Sequence, residues 1–152
     1  MAKFFRRGKS LISFLPAVAG TSPTRAEINA GTALSALATG LSGWQFSNQR
    51  IDTPILSSSF TPQIDGPDEV GDSSITFMDD DAVFTIRNTL AKGTSGFIVL
   101  FPYGDVATKR CEVWPIKSAG VNDEWSMGSD PARYEVGFAI TNPPTQNATI
   151  PA

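Results

Sequence analysis

The sequence predicts a mainly β protein: a β-sandwich or small barrel with one flanking α-helix at about residues 80–92. Three observations support this fold class. Several short stretches alternate polar and apolar residues, as half-buried strands do. The composition includes 13 glycines and 11 prolines but only 18% charged residues, which suits turns and strands better than a helical bundle. Finally, 152 residues are enough for a single domain, residues 1–152, with its own core.

The first third of the chain contains three predicted elements and one ambiguous segment. Residues 10–15 predict an apolar strand that Pro16 ends, unless residues 1–20 form a secretory signal. Residues 24–30 alternate and predict an antiparallel strand, and residues 43–47 predict another. The Ala/Ser/Thr-rich residues 31–39 fit either a short helix or a loop.

A long hairpin is predicted over residues 55–77, with strands at residues 55–64 and 73–77. The segment between these strands is acidic and rich in turn-forming residues, so we expect it to form a tip that stands away from the core. The tip consists of Asp65, Gly66, Pro67, Asp68, Glu69, Val70, Gly71 and Asp72.

The predicted helix has signals at both ends. Asp79, Asp80 and Asp81 suit a helix N-terminus, where carboxylates cap free N–H groups and oppose the dipole. Gly93 suits the left-handed position after the C-terminus. Between them, an apolar face is formed at helical spacing by Val83, Ile86 and Leu90.

The last third of the chain is predicted to be almost entirely extended. Residues 96–101 are continuously apolar and predict a buried strand, while residues 110–116 and 133–140 alternate. Pro115 indicates an edge or a bulge in its strand. The proline-rich residues 142–152 predict an extended C-terminal tail.

Charge is distributed unevenly. Residues 1–9 carry +4 from Lys3, Arg6, Arg7 and Lys9. Of the 12 bases in the chain, eight therefore remain in residues 10–152, where 15 acids give a net charge of −7. An acidic body repels DNA, so stable nucleic-acid binding is not expected, although such a surface suits DNA that slides past.

The N-terminal sequence has two possible interpretations. Residues 1–20 have a basic start, a short apolar stretch and an Ala-x-Ala sequence, which together resemble a secretory signal. The alternative is a basic arm, residues 1–9, followed by the first strand. Composition leaves both readings open.

The residue inventory excludes several chemistries. The chain has no histidine, and Cys111 is its single cysteine, so a histidine-based triad and an internal disulfide are both impossible. The aspartates at 79–81 lack the spacing of a calcium loop, and the four carboxylates of residues 65–72 give only a weak indication of metal binding. We therefore predict no catalytic site, metal site or cofactor, and interpret Trp44, Phe46, Trp114 and Trp125 as core or interface residues.

The chain resembles the major tail tube proteins of long-tailed (siphovirus-type) phages that infect actinobacteria. The similarity runs nearly end to end, without a chemical motif. It is carried by residues 1–9 (MAKFFRRGK), 23–28 (PTRAEI), 43–48 (GWQFSN), 51–54 (IDTP), 77–81 (FMDDD), 89–94 (TLAKGT), 102–105 (PYGD), 110–113 (RCEV), 138–141 (FAIT) and 149–152 (TIPA).

This resemblance implies a non-enzymatic virion protein of tail-tube-like fold. Six copies would form a ring, and rings would stack into a hollow tube that DNA traverses without specific binding. The long hairpin at residues 55–77, with its acidic loop at residues 65–72, would reach the next ring. The basic arm would be retained for contacts between subunits, through Phe4, Phe5, Arg6, Arg7 and Lys9.

The resemblance also implies partners and a location. Tape-measure, tail-terminator and tail-tip proteins would bind the tube, which would assemble in the host cytoplasm and form the virion tail without contacting a membrane. The alternatives are a tail terminator or other ring-forming virion protein, and an exported β-sandwich binding module.

Overall fold

A single antiparallel sheet dominates the computed structural model, which describes residues 2–152. Strands hold 42% of the residues and helices 7%, so the prediction of a mainly β fold is confirmed. The strands are β1 (Leu11–Leu15), β2 (Thr32–Ala33), β3 (Ala38–Ser42), β4 (Phe46–Asn48), β5 (Ile51–Asp52), β6 (Gln63–Ile64), β7 (Asp68–Val70), β8 (Ser73–Met78), β9 (Ser95–Phe101), β10 (Arg110–Glu124), β11 (Arg133–Ile140) and β12 (Thr145–Thr149). The helices are α1 (Arg25–Ala30) and α2 (Thr85–Thr89).

The main sheet has the order β2-β1-β9-β10-β11-β8-β3, and β12 also pairs with β10. The 15-residue β10 is the central strand. On one side it pairs with β9, and on the other it pairs first with β12 and then with β11. The sheet does not close, because β2 and β3 lie at its two ends.

Both faces of the sheet are packed. One face, together with α2, forms the larger core around the fully buried Trp114 and Phe77. The other face, under α1 and the C-terminal tail, forms a second core around Phe101 and Ile150. This arrangement explains the continuous apolar run of β9, since alternate residues of that strand enter opposite cores.

The predicted strand at residues 24–30 is wrong, because the segment forms α1. Thr24 and Glu27 make a reciprocal capping box: the Thr24 side chain accepts from the Glu27 N–H, and the Glu27 carboxylate accepts from the Thr24 N–H. This local signal outweighs the two-residue alternation. Residues 31–39, predicted as a helix or loop, instead contain β2 and the start of β3.

The capping prediction for the second helix is also wrong. α2 spans only five residues, and its N-cap, Phe84, makes no side-chain capping bond. Asp80 accepts from the Ala82 N–H at 2.9 Å and so closes a local turn before the helix. Gly93 does have a positive φ of 89°, but it lies beyond the C-cap Leu90 and donates to the Ser118 carbonyl.

Pro115, predicted to mark an edge or a bulge, lies within the central strand and pairs with Phe97 of β9 on one side. On the other side of β10, pairing changes from β12 at Val113 to β11 at Ile116. Pro115 falls in this gap, where its missing N–H interrupts no ladder, and its carbonyl accepts from the Thr141 N–H at 3.1 Å. The C-terminal residues 142–152 contain β12.

Candidate assembly surfaces

The short β2 pairs only with Ser13 and Phe14, so the sheet leaves an open seam between the start of β1 and β3. Residues 34–37 cross this seam and form hydrogen bonds with strands on both of its sides. The Ser35 hydroxyl accepts from the Ile12 N–H at 3.0 Å, and the Leu37 carbonyl accepts from the Met78 N–H at 2.8 Å. Beyond this crossing the two edges remain apart, and unpaired strand edges are potential contact sites for another chain.

A cleft of about 780 Å³ occupies the seam, and we call it the β1–β3 cleft. Its apolar walls include Leu11, Leu41 and Met78, each 40–46% exposed. The charged residues that line it are Arg6, Arg7 and Glu112. Burial raises the pKa of the Glu112 carboxyl, whereas the nearby arginine charges oppose that shift.

The predicted N-terminal arm folds back beside the end of β9. The ring of Phe4 lies 5.3 Å from that of Tyr103, and the Lys9 ammonium lies 4.9 Å from the Phe4 ring centroid. Phe5 remains 79% exposed. Arg6 begins a turn, since its carbonyl accepts from the N–H groups of Lys9 and Ser10. The arm therefore presents aromatic and basic groups at the mouth of the cleft.

A long hairpin is present, but its boundaries differ from the prediction. It covers residues 46–70, which we call the long hairpin, and is held by β4–β7 and β5–β6 pairing. Its tip is the loop at residues 53–62, where Leu56 is fully exposed and Phe60 is 73% exposed.

The predicted position of the tip at residues 65–72 is therefore wrong, because this acidic segment includes β7 and lies on the returning arm. Two of its four acids pair with amides across the hairpin. Asn48 Nδ2 donates to Asp68 at 2.7 Å, and Gln49 donates to Glu69. Such cross-strand pairs stabilise a two-stranded ribbon that lacks a core of its own.

A second projection is the β10–β11 loop, residues 125–132. Trp125 is 92% exposed and Met127 is fully exposed. Residues 123–133 carry three acids, Asp123, Glu124 and Asp130, against the single base Arg133. The aspartate run at 79–81 adjoins this loop, since the Asp79 N–H donates to the Ala132 carbonyl at 2.8 Å.

An ion cluster fixes the base of this loop. Arg87 of α2 hydrogen-bonds Asp123 of β10, lies 3.5 Å from Asp79 and covers the ring of Tyr134. The Arg87 guanidinium lowers the pKa of the Asp123 carboxyl, and the hydrogen-bonded carboxylate raises the pKa of Arg87. The contacts fix the start of the β10–β11 loop against the body.

Within residues 2–152, no group of three cysteine or acidic side chains is arranged to hold a metal ion. Cys111 is fully buried in the second core, and burial raises the pKa of its thiol to about 11. None of the described helices has the length and apolarity needed to cross a membrane.

Sequence reasoning missed the cleft and the two exposed apolar tips. Of the four aromatic residues assigned to a core or interface, Trp114 is buried, Trp44 and Phe46 are partly buried against the larger core, and Trp125 is exposed. The lack of charge at residues 53–64 was the signal that could have identified the hairpin tip.

The family model described as "Phage tail tube protein" matches residues 1–152. No curated protein matches the sequence. Chains of several solved structures share the fold, and two of them illustrate the similarity. A chain of the six-fold symmetrised cryo-EM structure of the anti-feeding prophage (AFP) baseplate aligns with a TM-score of 0.61 at 7% identity, covering 93% of this chain and 95% of that one.

The second structure is an extracellular contractile injection system, the PVC sheath–tube complex in its extended state. One of its chains aligns with a TM-score of 0.57 at 8% identity, covering 94% of this chain and 92% of that one. At such low identity the two alignments establish similarity of fold.

Proposed function

The chain belongs to the phage tail tube protein family, and we propose that six copies of it form a ring and that the rings stack into a hollow conduit for DNA. The protein is a structural subunit of a phage tail tube. The observation that carries this function is the family match over residues 1–152. The ring size is supported by the six-fold symmetry of the baseplate that contains a chain of the same fold.

The long hairpin is proposed to contact the next ring. It projects as a two-stranded ribbon, and its tip exposes Leu56 and Phe60 to solvent in the single chain. When a neighbouring subunit covers exposed apolar side chains on a projection, the free energy of the assembly falls. The acids at residues 65–72, expected to make this contact themselves, would instead stabilise the returning arm through Asp68 and Glu69.

The N-terminal arm is proposed to contact the neighbouring subunit within a ring. Phe5 is exposed, and Arg6 and Arg7 line the cleft that follows an open sheet edge. These features supply an apolar group and two positive charges at a place where strand edges are unpaired. Phe4 packs against Tyr103 of the body, and the Lys9 ammonium lies over the Phe4 ring.

The tube is proposed to let DNA pass without specific binding. The chain has a net charge of −3, and the residues after the arm carry −7, so phosphates are repelled rather than held. Screening limits that field to roughly 8 Å at physiological salt, which still reaches DNA in a narrow channel.

The proposed setting is the virion tail of a long-tailed phage with an actinobacterial host, assembled in the host cytoplasm. Tape-measure, tail-terminator and tail-tip proteins are the proposed partners. We propose no enzymatic activity, since the work of such a subunit is self-assembly.

Negative-stain electron microscopy of the purified chain over a concentration series tests this function. Hollow tubes built of six-fold rings are the expected result. Rings that never stack would favour a tail terminator, and monomers at every concentration would contradict self-assembly.

The stacking role of the hairpin is tested with the double variant Leu56→Ser, Phe60→Ser. Both side chains are exposed in the single chain, so the variant should fold normally and form rings that stack poorly. Val106→Ser is the matched control, because Val106 is also exposed but lies outside the hairpin. Tubes of normal length from the double variant would refute the role of the tip.

A further inference from the structure

We propose that the β10–β11 loop of one copy inserts Trp125 and Met127 into the β1–β3 cleft of the next copy. The inference rests on the proposed self-assembly and specifies which two surfaces meet within it. The contact joins two different surfaces of the chain, so it repeats from copy to copy and can close a ring.

The two surfaces are complementary in polarity. The cleft has apolar walls that include Leu11, Leu41 and Met78, all partly exposed in the single chain. The loop carries two large apolar side chains, Trp125 and Met127, that touch almost nothing in their own subunit. A protruding tryptophan that enters an apolar pocket is the type of residue that contributes most to an interface.

The two surfaces are also complementary in charge. Arg6 and Arg7 outnumber Glu112 in the cleft, which leaves a net charge of +1 among its lining residues. The segment from Asp123 to Arg133 carries three acids and one base, which leaves −2. Asp123 is already paired with Arg87, whereas Asp130 lies within three residues of Met127 and can face the cleft arginines.

This charge pattern favours the β10–β11 loop over the hairpin tip as the occupant. Residues 53–64 contain no charged side chain, so the hairpin tip would bury apolar surface in the cleft but leave the net positive charge of its lining unopposed. Opposite charges across an interface also steer the encounter and exclude wrong registers.

Cysteine cross-linking tests the contact directly. The native Cys111 is buried, with a pKa raised to about 11, so introduced cysteines react selectively in the folded protein. Copies carrying Met127→Cys are mixed with copies carrying Leu41→Cys, assembled, and treated with a short bis-maleimide. A cross-linked dimer is expected from the mixture and from neither variant alone.

The double variant Leu41→Cys, Met127→Cys should give a ladder of cross-linked species that ends at the number of copies in the ring. The competing pair, Leu56→Cys mixed with Leu41→Cys, should stay uncross-linked. Tubes that yield the Leu56 product but not the Met127 product would overturn the inference and leave the tube function intact. Absence of any oligomer would overturn both.

Trp125→Ser gives an independent readout. The variant should fold normally, since Trp125 is 92% exposed, and should raise the concentration at which rings appear by about tenfold or more. Val106→Ser should leave that concentration unchanged. Tryptophan emission should shift to the blue on assembly of the native chain, and Trp125→Phe should remove most of the shift. An unchanged assembly concentration in Trp125→Ser would refute the proposal.

Discussion

Arg87 donates hydrogen bonds to both carboxylate oxygens of Asp123, with the longer N···O distance at 3.3 Å, and thereby joins α2 to β10. This two-point contact couples the five-residue helix to the central strand. It lies at the base of the loop that carries Trp125, so it also sets the direction in which that loop leaves the body.

We expect the Arg87–Asp123 pair to stabilise the fold by about 0.5–1 kcal/mol, because both side chains are about one-third exposed. A double-mutant cycle with Arg87→Ala and Asp123→Asn in urea unfolding measures this coupling. The matched control is the pair Arg133–Glu124, at 3.5 Å and 46% exposure on both sides, where coupling near zero is expected. Equal coupling in both pairs would contradict the argument.

The same pair predicts a dependence of stability on pH. The folded pKa of Asp123 lies below its unfolded value of 3.8, so its contribution is complete above that value and disappears as the pH falls through the folded pKa. The difference in unfolding free energy between the native chain and Asp123→Asn should therefore be constant at neutral pH and shrink below about pH 4. A difference that grew in acid would show the opposite sign.

Several strands of the main sheet can be predicted from the sequence because burial imposes their pattern, whereas β2 and β3 lack that pattern. β11 was predicted with its observed ends, since Tyr134, Val136 and Phe138 enter the core on alternate residues. Residues 24–30 show the limit of that reasoning. Their alternation is typical of a strand, but the capping box formed by Thr24 and Glu27 stabilises a helix. The capping hydrogen bonds favour a helix and the alternation favours a strand. The alternation alone does not show which of the two determines the structure.

The surfaces proposed for assembly were harder to predict, because they depend on which sheet edges meet. The β1–β3 cleft is lined by both Arg7 and Leu41, two residues far apart in sequence. The acidic segment at residues 65–72 was mistaken for a tip because its turn-forming residues also suit a narrow ribbon. Pairing of β7 with Phe46–Asn48 is a long-range register that composition does not encode.

The capping box predicts the effect of Thr24→Ala. Loss of the Thr24 hydroxyl leaves the Glu27 N–H without its partner at the start of α1, so we expect a loss of about 1 kcal/mol in unfolding free energy. Thermal and urea unfolding measure the change. Thr21→Ala, at an exposed position just upstream, serves as the control and should be neutral. Equal losses in the two variants would mean that the cap contributes nothing specific.

We predict that the Cys111 thiol does not react until the protein unfolds. Burial raises its pKa to about 11, so the thiolate is scarce at pH 8, and the side chain is also out of reach of reagents. Labelling with a disulfide reagent should be slow in the native state and complete in denaturant. Fast native labelling would show that the second core, which includes Ala148 and Ile150, opens readily.

Substitution of Gly66 should disturb the long hairpin without affecting either core. A Cβ at Gly66 would lie 1.9 Å from the Gln49 carbonyl oxygen on the opposite arm, a distance that forces the two backbones apart. Gly66→Ala should therefore speed proteolysis within residues 49–66 several-fold and shorten tubes, while the midpoint of cooperative unfolding stays nearly unchanged. Gly71→Ala is the matched control, because a Cβ there meets nothing within 4 Å. If Gly66→Ala loosened the hairpin yet left tube length normal, the hairpin would not be the element that joins the rings.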